Sequence, residues 1–202
     1  MKIAEIFTSI QGEGDTSGYP TIFIRFAGCN LRCRYCDTRA AQDDCGIEMD
    51  LTQIMEEVQK SVVSHVCITG GEPLLQQNLP ALLKMLHEAG HVITIETNGT
   101  LDFRSCQDYA TICMDVKCPS SGEMSNLRLL PWIRSEDSVK YVIGTDEDLR
   151  YAHETLKQNA VRGTIFWSPV FGTDPMKIVS YILDQNLPVR FQLQLHKIIG
   201  VQ

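Results

Sequence analysis

A chain of 202 residues with a formal charge of -7, 18 Lys and Arg against 25 Asp and Glu, carries no electrostatic footprint for nucleic acid or an anionic membrane. Hydrophobic residues at 44% and charged residues at 21% match a soluble globular protein, and the length suits a single domain over 1–202. MKIAEIFTSIQGEG is no apolar leader and no run approaches the ~20 apolar residues that span a bilayer, so a cytoplasmic protein is expected, in which eight cysteines read as ligands, reactive thiols or buried apolar groups before disulfides.

In chain order, TIFIRFAG predicts a strand over 21–28 that runs into Cys29. Leu51, Ile54, Met55, Val58 and Val62 at helical spacing predict a helix over 50–63, opened by a capping box of Asp50 and Gln53. HVCIT predicts a strand over 65–69, followed by a helix over 79–89 closed by Gly90. Strand 91–96, a short helix over 103–109 and strand 111–116 come next. The apolar settings of Cys67 and Cys113 mark them as buried small hydrophobes. The segment 117–135, with Pro119, Gly122 and Pro131, reads as a loop. Strand 138–143, helix 146–159, strand 163–167, helix 175–185 and a last strand over 188–195 complete the chain, with His196 at the end of that strand.

Strands alternating with helices imply right-handed βαβ units and a parallel sheet, open or barrel-like. A complete eightfold barrel takes about 250 residues, so this length points to an incomplete one. Residues at the C-terminal strand ends then line the site. The unusual motifs fall at those ends: Cys29 onward, Gly70–Pro73, Thr97–Gly99, Lys117 and Ser168–Phe171.

Cys29, Cys33 and Cys36 form C-x3-C-x2-C. Three thiolates on one loop can hold three irons of a 4Fe–4S cubane that normally takes four ligands, leaving one iron open. A structural zinc site needs four ligands, and no second C-x2-C exists, although Cys45 is a candidate fourth. A disulfide framework conflicts with the reducing compartment, and a thioredoxin-like motif has no use for Cys29.

This cysteine pattern, with an aromatic residue before the last Cys and Gly70-Gly71-Glu72-Pro73 directly after a strand, resembles the radical S-adenosylmethionine superfamily. The flanks narrow the resemblance. Glu5-Ile6-Phe7, Ser9 to Gly14 (SIQGEG), Arg25 to Cys29, Cys36-Asp37-Thr38, Glu96 to Gly99, Asp115-Val116-Lys117, Pro119 to Gly122 and Gln192 to Lys197 together resemble the 7-carboxy-7-deazaguanine synthase family. They run from residue 5 to 197, nearly the whole chain.

The resemblance implies a partial, modified parallel β/α barrel of the radical SAM type with about six parallel strands. It implies conversion of 6-carboxy-5,6,7,8-tetrahydropterin to 7-carboxy-7-deazaguanine with release of ammonia, a lyase reaction that feeds queuosine and other deazapurine pathways. Adenosylmethionine acts catalytically there, beside a 4Fe–4S cluster and Mg2+. A homodimer and an external electron donor such as flavodoxin or ferredoxin are implied as partners, with no nucleic acid and no membrane.

Residue by residue, the resemblance assigns substrate contacts to Ile10, Gln11, Gly12, Glu13, Arg25, Thr97, His196 and the terminal Gln202. It assigns adenosylmethionine contacts to Tyr35, Asp37, Gly71, Glu72, Gly99, Asp115, Val116, Lys117, Ser168, Pro169, Val170 and Phe171, and Mg2+ to Thr38. Some of this has independent physical sense. Gln11 and Glu13, between glycines that admit a close backbone, can match the donors and acceptors of an aminopyrimidinone edge. Arg25 on an apolar strand is costly facing inward unless paired, and a substrate carboxylate would pair with it, although strand alternation allows either face. Asp37 and Thr38 alone read as a turn, and Cys45 and Cys118 have no assigned role. The rivals are a glycyl-radical activating enzyme, which shares the three cysteines, and a zinc- or cluster-binding module without catalysis.

Overall fold

The computed structural model describes residues 1–201; Gln202, with the role expected of it, lies outside the described residues. β1 (Lys2–Ile10) pairs antiparallel with β2 (Pro20–Phe26) and, at its other edge, with the two-residue β3 (Ile47–Glu48). From β2 the sheet continues in parallel through β4 (His65–Gly70), β5 (Val92–Thr97), β6 (Thr111–Val116), β7 (Ser138–Ile143), β8 (Thr164–Pro169) and the short β9 (Arg190–Phe191). Helices α1 (Leu51–Val58), α2 (Leu79–Glu88), α3 (Asp146–Gln158) and α4 (Met176–Asp184) lie in the crossovers before β4, β5, β8 and β9, those into β6 and β7 carry only 3-10 turns, and α5 (Leu195–Ile199) follows β9.

The period of two along each strand separates two faces. Ile22, Ile24, Val66, Ile68, Ile93, Ile95, Ile112, Met114, Val139, Tyr141 and Trp167 join Ile54, Leu82, Leu83 and Leu86 of the helices in one buried apolar core. Their neighbours on the strands, among them Phe23, Arg25, Thr69, Glu96, Cys113, Asp115 and Lys140, line a cavity on the opposite face.

The sheet curves around that cavity. Seven strand steps separate β1 from β9, about 34 Å if flat at the usual spacing. Yet the Gln192 side chain after β9 accepts from Gly14 N at 2.7 Å and donates to Gly14 O at 2.9 Å, while Leu195 N donates to Gly12 O at 3.0 Å. Only a sheet bent into a partial barrel brings these segments together.

Several boundaries differ from the sequence expectation. β1 had no expected counterpart: apart from buried Ile3 and exposed Thr8 its residues are half-buried, so it lacks a clean alternation. α1 stops at Val58, where tight turn bonds from Lys60 N and Ser61 N take over, and Val62 is fully exposed. The expected helix over 103–109 is a 3-10 turn at Arg104–Cys106. The last strand shrinks from 188–195 to two residues, and His196 sits on α5 instead of a strand end. Once Gln192 has clamped Gly14, the chain turns away from the sheet edge. β8 runs through Ser168 and Pro169, which are strand residues and not loop.

Candidate active site

The cavity measures about 800 Å³, large enough for a nucleoside-sized cofactor and a bicyclic substrate together. Its floor is the polar sheet face and its rim is the set of loops at the C-terminal strand ends.

The cysteine loop begins where Gly28, at φ +95, turns the chain out of β2. Backbone bonds fasten it on three sides. Gly28 N and Cys29 N donate to Ala41 O and Gln42 O at 2.9 and 3.0 Å. Glu72 N donates to Gly28 O at 2.8 Å, and Arg34 N to Ser121 O at 2.9 Å. Cys29, Cys33 and Cys36 are half-buried free thiols, and all three line the cavity. Leu31 N and Asn98 Nδ2 point at Cys29 Sγ at 3.4 and 3.8 Å. Burial raises the Cys29 and Cys33 thiols, and the Lys117 ammonium opposes it at both. Among the described residues no three His, Cys, Asp or Glu side chains converge on a single metal ion. A cubane presents separate iron corners to its thiolates, and three thiols opening from one loop into one cavity fit it.

The glycine-rich turn after β4 is packed without slack. Gly71 N donates to Phe26 O at 3.0 Å, and a Cβ on Gly71 would lie 2.0 Å from Gly28 O. Gly71 lines the cavity, but Glu72 does not. The Glu72 carboxylate is fully buried and accepts from Leu74 N at 3.0 Å, Thr97 Oγ1 at 2.8 Å and Asn98 N at 2.7 Å. Burial raises its pKa against those donors. Glu72 thereby ties the turn after β4 to the Thr97–Gly99 turn after β5.

At the end of β6, Lys117 Nζ donates to Asp115 Oδ2 at 2.7 Å, with side chains 16% and 18% exposed. Burial opposes both charges, yet each holds the other: Asp115 lies below its ordinary value and Lys117 above. Asp115 Oδ1 is buried with no partner among the described residues. Tyr35, whose hydroxyl donates to Val142 O at 3.2 Å, faces the same region, as do Val170 and Phe171. Gly99, Val116, Ser168 and Pro169 are not among the lining residues. Ser168 is wholly buried, with no partner for its Oγ among the described residues.

Elsewhere in the lining, Gln11 Oε1 accepts from Gly12 N at 2.9 Å and Glu13 N at 3.3 Å, which shapes the loop that carries them. Its Nε2 donates to Glu96 Oε1 at 3.3 Å. Glu13 is buried, held by Lys140 Nζ at 3.0 Å and Gln194 Nε2 at 3.3 Å. Arg25 faces inward, with Nε on Glu5 at 2.8 Å. His196 packs on Gly12 so tightly that a Cβ there would lie 2.0 Å from its Nδ1. Lys197 pairs with Asp37 at 2.7 Å, joining α5 to the cysteine loop. Ile10, Thr38 and Thr97 also line the cavity.

Of the two unassigned cysteines, Cys118 is a fully buried packing group, whereas Cys45 is exposed at the cavity rim. Sequence reading missed Glu96, Lys140 and Gln194 as lining residues and Asp148 as a support. Charges at inward positions of HVITIET and SVKYVI were the available signal, since a charge in an apolar strand needs a partner. Asp148 is one of three acids in the first turn of α3. It is fully buried and accepts from Ser120 N, Gly144 N and Thr145 N at 2.9 to 3.0 Å, bracing the 119–122 turn under the cysteine loop.

Residues 23–117 match the Radical SAM superfamily. The 7-carboxy-7-deazaguanine synthase of Methanospirillum hungatei is 55% identical over 202 residues, covering 100% of this chain and 86% of that relative. The chain belongs to the 7-carboxy-7-deazaguanine synthase family. The Thermoplasma acidophilum member is 38% identical, covering 98% of this chain and 97% of its own. The crystal structure of QueE from Escherichia coli superposes with a TM-score of 0.80 at 25% identity, over 96% of this chain and 94% of that one. Streptococcus suis SuiB, bound to precursor peptide SuiA, shares the fold alone: TM-score 0.63, 15% identity, 88% of this chain and 50% of SuiB. Family membership makes the protein a radical SAM enzyme with a 4Fe–4S cluster and adenosylmethionine as cofactors. It works on a small molecule and needs a reductant. Among the described residues no helix is long and apolar enough to cross a membrane.

Proposed function

We infer that this chain makes 7-carboxy-7-deazaguanine, the product its relatives are named for, from 6-carboxy-5,6,7,8-tetrahydropterin with release of ammonia, as the sequence resemblance implies. The observation that carries the reading is one cavity lined by the three thiols together with the Gln11–Glu13 loop, Arg25 and His196.

Cys29, Cys33 and Cys36 would hold the cluster, with the fourth iron left to adenosylmethionine. Bound there, the two cofactors would supply the radical chemistry that removes a hydrogen from the substrate. The chain's own residues bind, orient and exclude water. Gly71 puts bare backbone at the cavity wall for the cofactor to approach, and Asp115 Oδ1 is a buried acceptor with no donor among the described residues. Glu13 accepts from the amino edge of the pterin. Arg25 keeps guanidinium donors besides Nε for the substrate carboxylate. Thr38 contributes one oxygen to a Mg2+ whose other ligands are substrate and water, the usual habit of that ion. His196 closes the pterin pocket from α5. A homodimer and a flavodoxin- or ferredoxin-like donor complete the proposal.

The test is anaerobic turnover of synthetic carboxytetrahydropterin with adenosylmethionine and dithionite, with and without Mg2+. Deazaguanine absorbance and stoichiometric ammonia are expected, faster with Mg2+. Reconstituted enzyme that forms 5′-deoxyadenosine with reductant yet leaves this pterin unchanged would overturn the substrate assignment.

A further inference from the structure

We propose that Lys140, with Gln194, is a positioning residue that fixes the Glu13 carboxylate as the reader of the pterin's amino edge and thereby sets selectivity for substrates bearing that edge. The inference rests on the reading of Glu13 given above.

Lys140 lies in the middle of β7 and is 6% exposed. A buried ammonium is costly without a partner, and the apolar core of this sheet does not need one. Its Nζ reaches Glu13 Oε2 at 3.0 Å, from a residue 127 positions away in the chain. Gln194 reaches the other oxygen, Oε1, at 3.3 Å, from 181 positions away. Two elements remote in sequence therefore each hold one oxygen of the same carboxylate, which fixes its plane.

A carboxylate has about four lone-pair positions. Two are taken by protein, and Glu13 is one of the residues lining the cavity. A pterin presents its 2-amino group and N3–H side by side, two donors that a fixed carboxylate meets together. Asp115 sits opposite Lys140 in the β6–β7 register and Glu96 is close by. Burial works against the Lys140 charge, but Glu13, Asp115 and Glu96 hold its pKa well above the ordinary lysine value. Lys140 is thus a permanent donor, carried by β7.

A merely structural ion pair would affect stability alike for every ligand. A positioning role changes discrimination. Reconstituted holoenzyme is titrated with 6-carboxypterin, the fluorescent oxidised relative of the substrate, and with its 2-desamino counterpart. Native protein is expected to prefer the amino-bearing ligand by about 100-fold or more, since a site built around hydrogen bonds rejects an analogue that lacks the donor. Lys140→Met is expected to lose about tenfold of that preference, in line with one charged hydrogen bond, with iron content and adenosylmethionine binding unchanged. Lys140→Arg should recover part of it. Gln194→Leu should lose about threefold, and keeps the test open if Lys140→Met does not fold. Full preference in Lys140→Met, or in Gln194→Leu where it is the readable variant, overturns the inference. Glu13→Ala separates the two levels. If Glu13→Ala keeps the native preference, the reading of Glu13 falls and takes the inference with it. If it collapses the preference while both brace variants retain theirs, the inference alone falls.

Discussion

Across β5 and β6, Ile93, Ile95, Ile112 and Met114 turn toward the helices, while the alternating neighbours Thr94, Glu96, Cys113 and Asp115 turn the other way. One strand pair thus belongs to two environments with opposite rules. On the helix side, affinity is nondirectional, and any well-packed apolar set of the right volume serves. On the cavity side, nearly every polar group is tied to a particular partner: Glu96 to Gln11 and Thr69, Glu13 to Lys140 and Gln194, Asp115 to Lys117. Stability is concentrated on one face and specificity on the other, so substitutions on the two faces should separate the two properties.

The largest effect belongs to the helix side. Leu86 of α2 is fully buried in the apolar core, and Leu86→Ala should cost roughly 2–5 kcal/mol in urea unfolding. Turnover by the protein that stays folded should match native. A fall in kcat without loss of stability would show that the two faces are not separable. Gly71→Ala probes the seam between them. The new Cβ meets backbone, Gly28 O and Ala41 O, which cannot rotate aside as a side chain can. Expected are a cost of roughly 1–3 kcal/mol and loss of adenosylmethionine binding, read by equilibrium dialysis on reconstituted protein. Native affinity in this variant would contradict the close approach assigned to the turn.

This division explains what could be read from the chain alone. The parallel strands of the inner sheet announce themselves by apolar runs such as HVCIT and TICMDV, because core packing imposes a period that any one strand displays. The cysteine spacing and the glycine turn are local as well. What stayed hidden depends on pairing between distant segments. Gln192 clamps Gly14 and Gln194 holds Glu13 across most of the sequence, and nothing within QLQLHK distinguishes that from an alternating strand. Hence an expected strand over 188–195 proved to be two residues and a short helix. Glu72 was legible as a motif residue but not as a buried brace, since its partners Thr97 and Asn98 lie on the next strand's turn.

A smaller effect tests the polar face directly. Thr69→Val removes the hydroxyl that donates to Glu96 Oε2 at 3.1 Å while keeping the volume. About 1 kcal/mol is expected in stability, the usual worth of one such bond, together with a raised KM through the slackened Gln11 loop. An unchanged KM would remove Glu96 from the chain of support that ends at Glu13.

The smallest effect is a pH dependence at the contact between α5 and Gly12. His196 is surrounded by Glu13 and Glu96 from the cavity wall, Asp37 from the cysteine loop and its neighbour Lys197. Burial, joined by Lys197, outweighs the carboxylates and lowers its pKa below the ordinary imidazole value near 6.5. Between that folded value and 6.5 the unfolded chain binds more proton than the folded one. Stability therefore rises with pH through this window and is lost as pH falls from 6.5 toward the folded value. His196→Gln removes the titration, so the difference in urea midpoint between native and variant should shift against native as pH drops from 7 to 5. Other carboxylates titrate equally in both proteins, and the difference cancels them. Parallel curves would mean that His196 docks on Gly12 as well charged as neutral, leaving the pterin wall indifferent to its protonation.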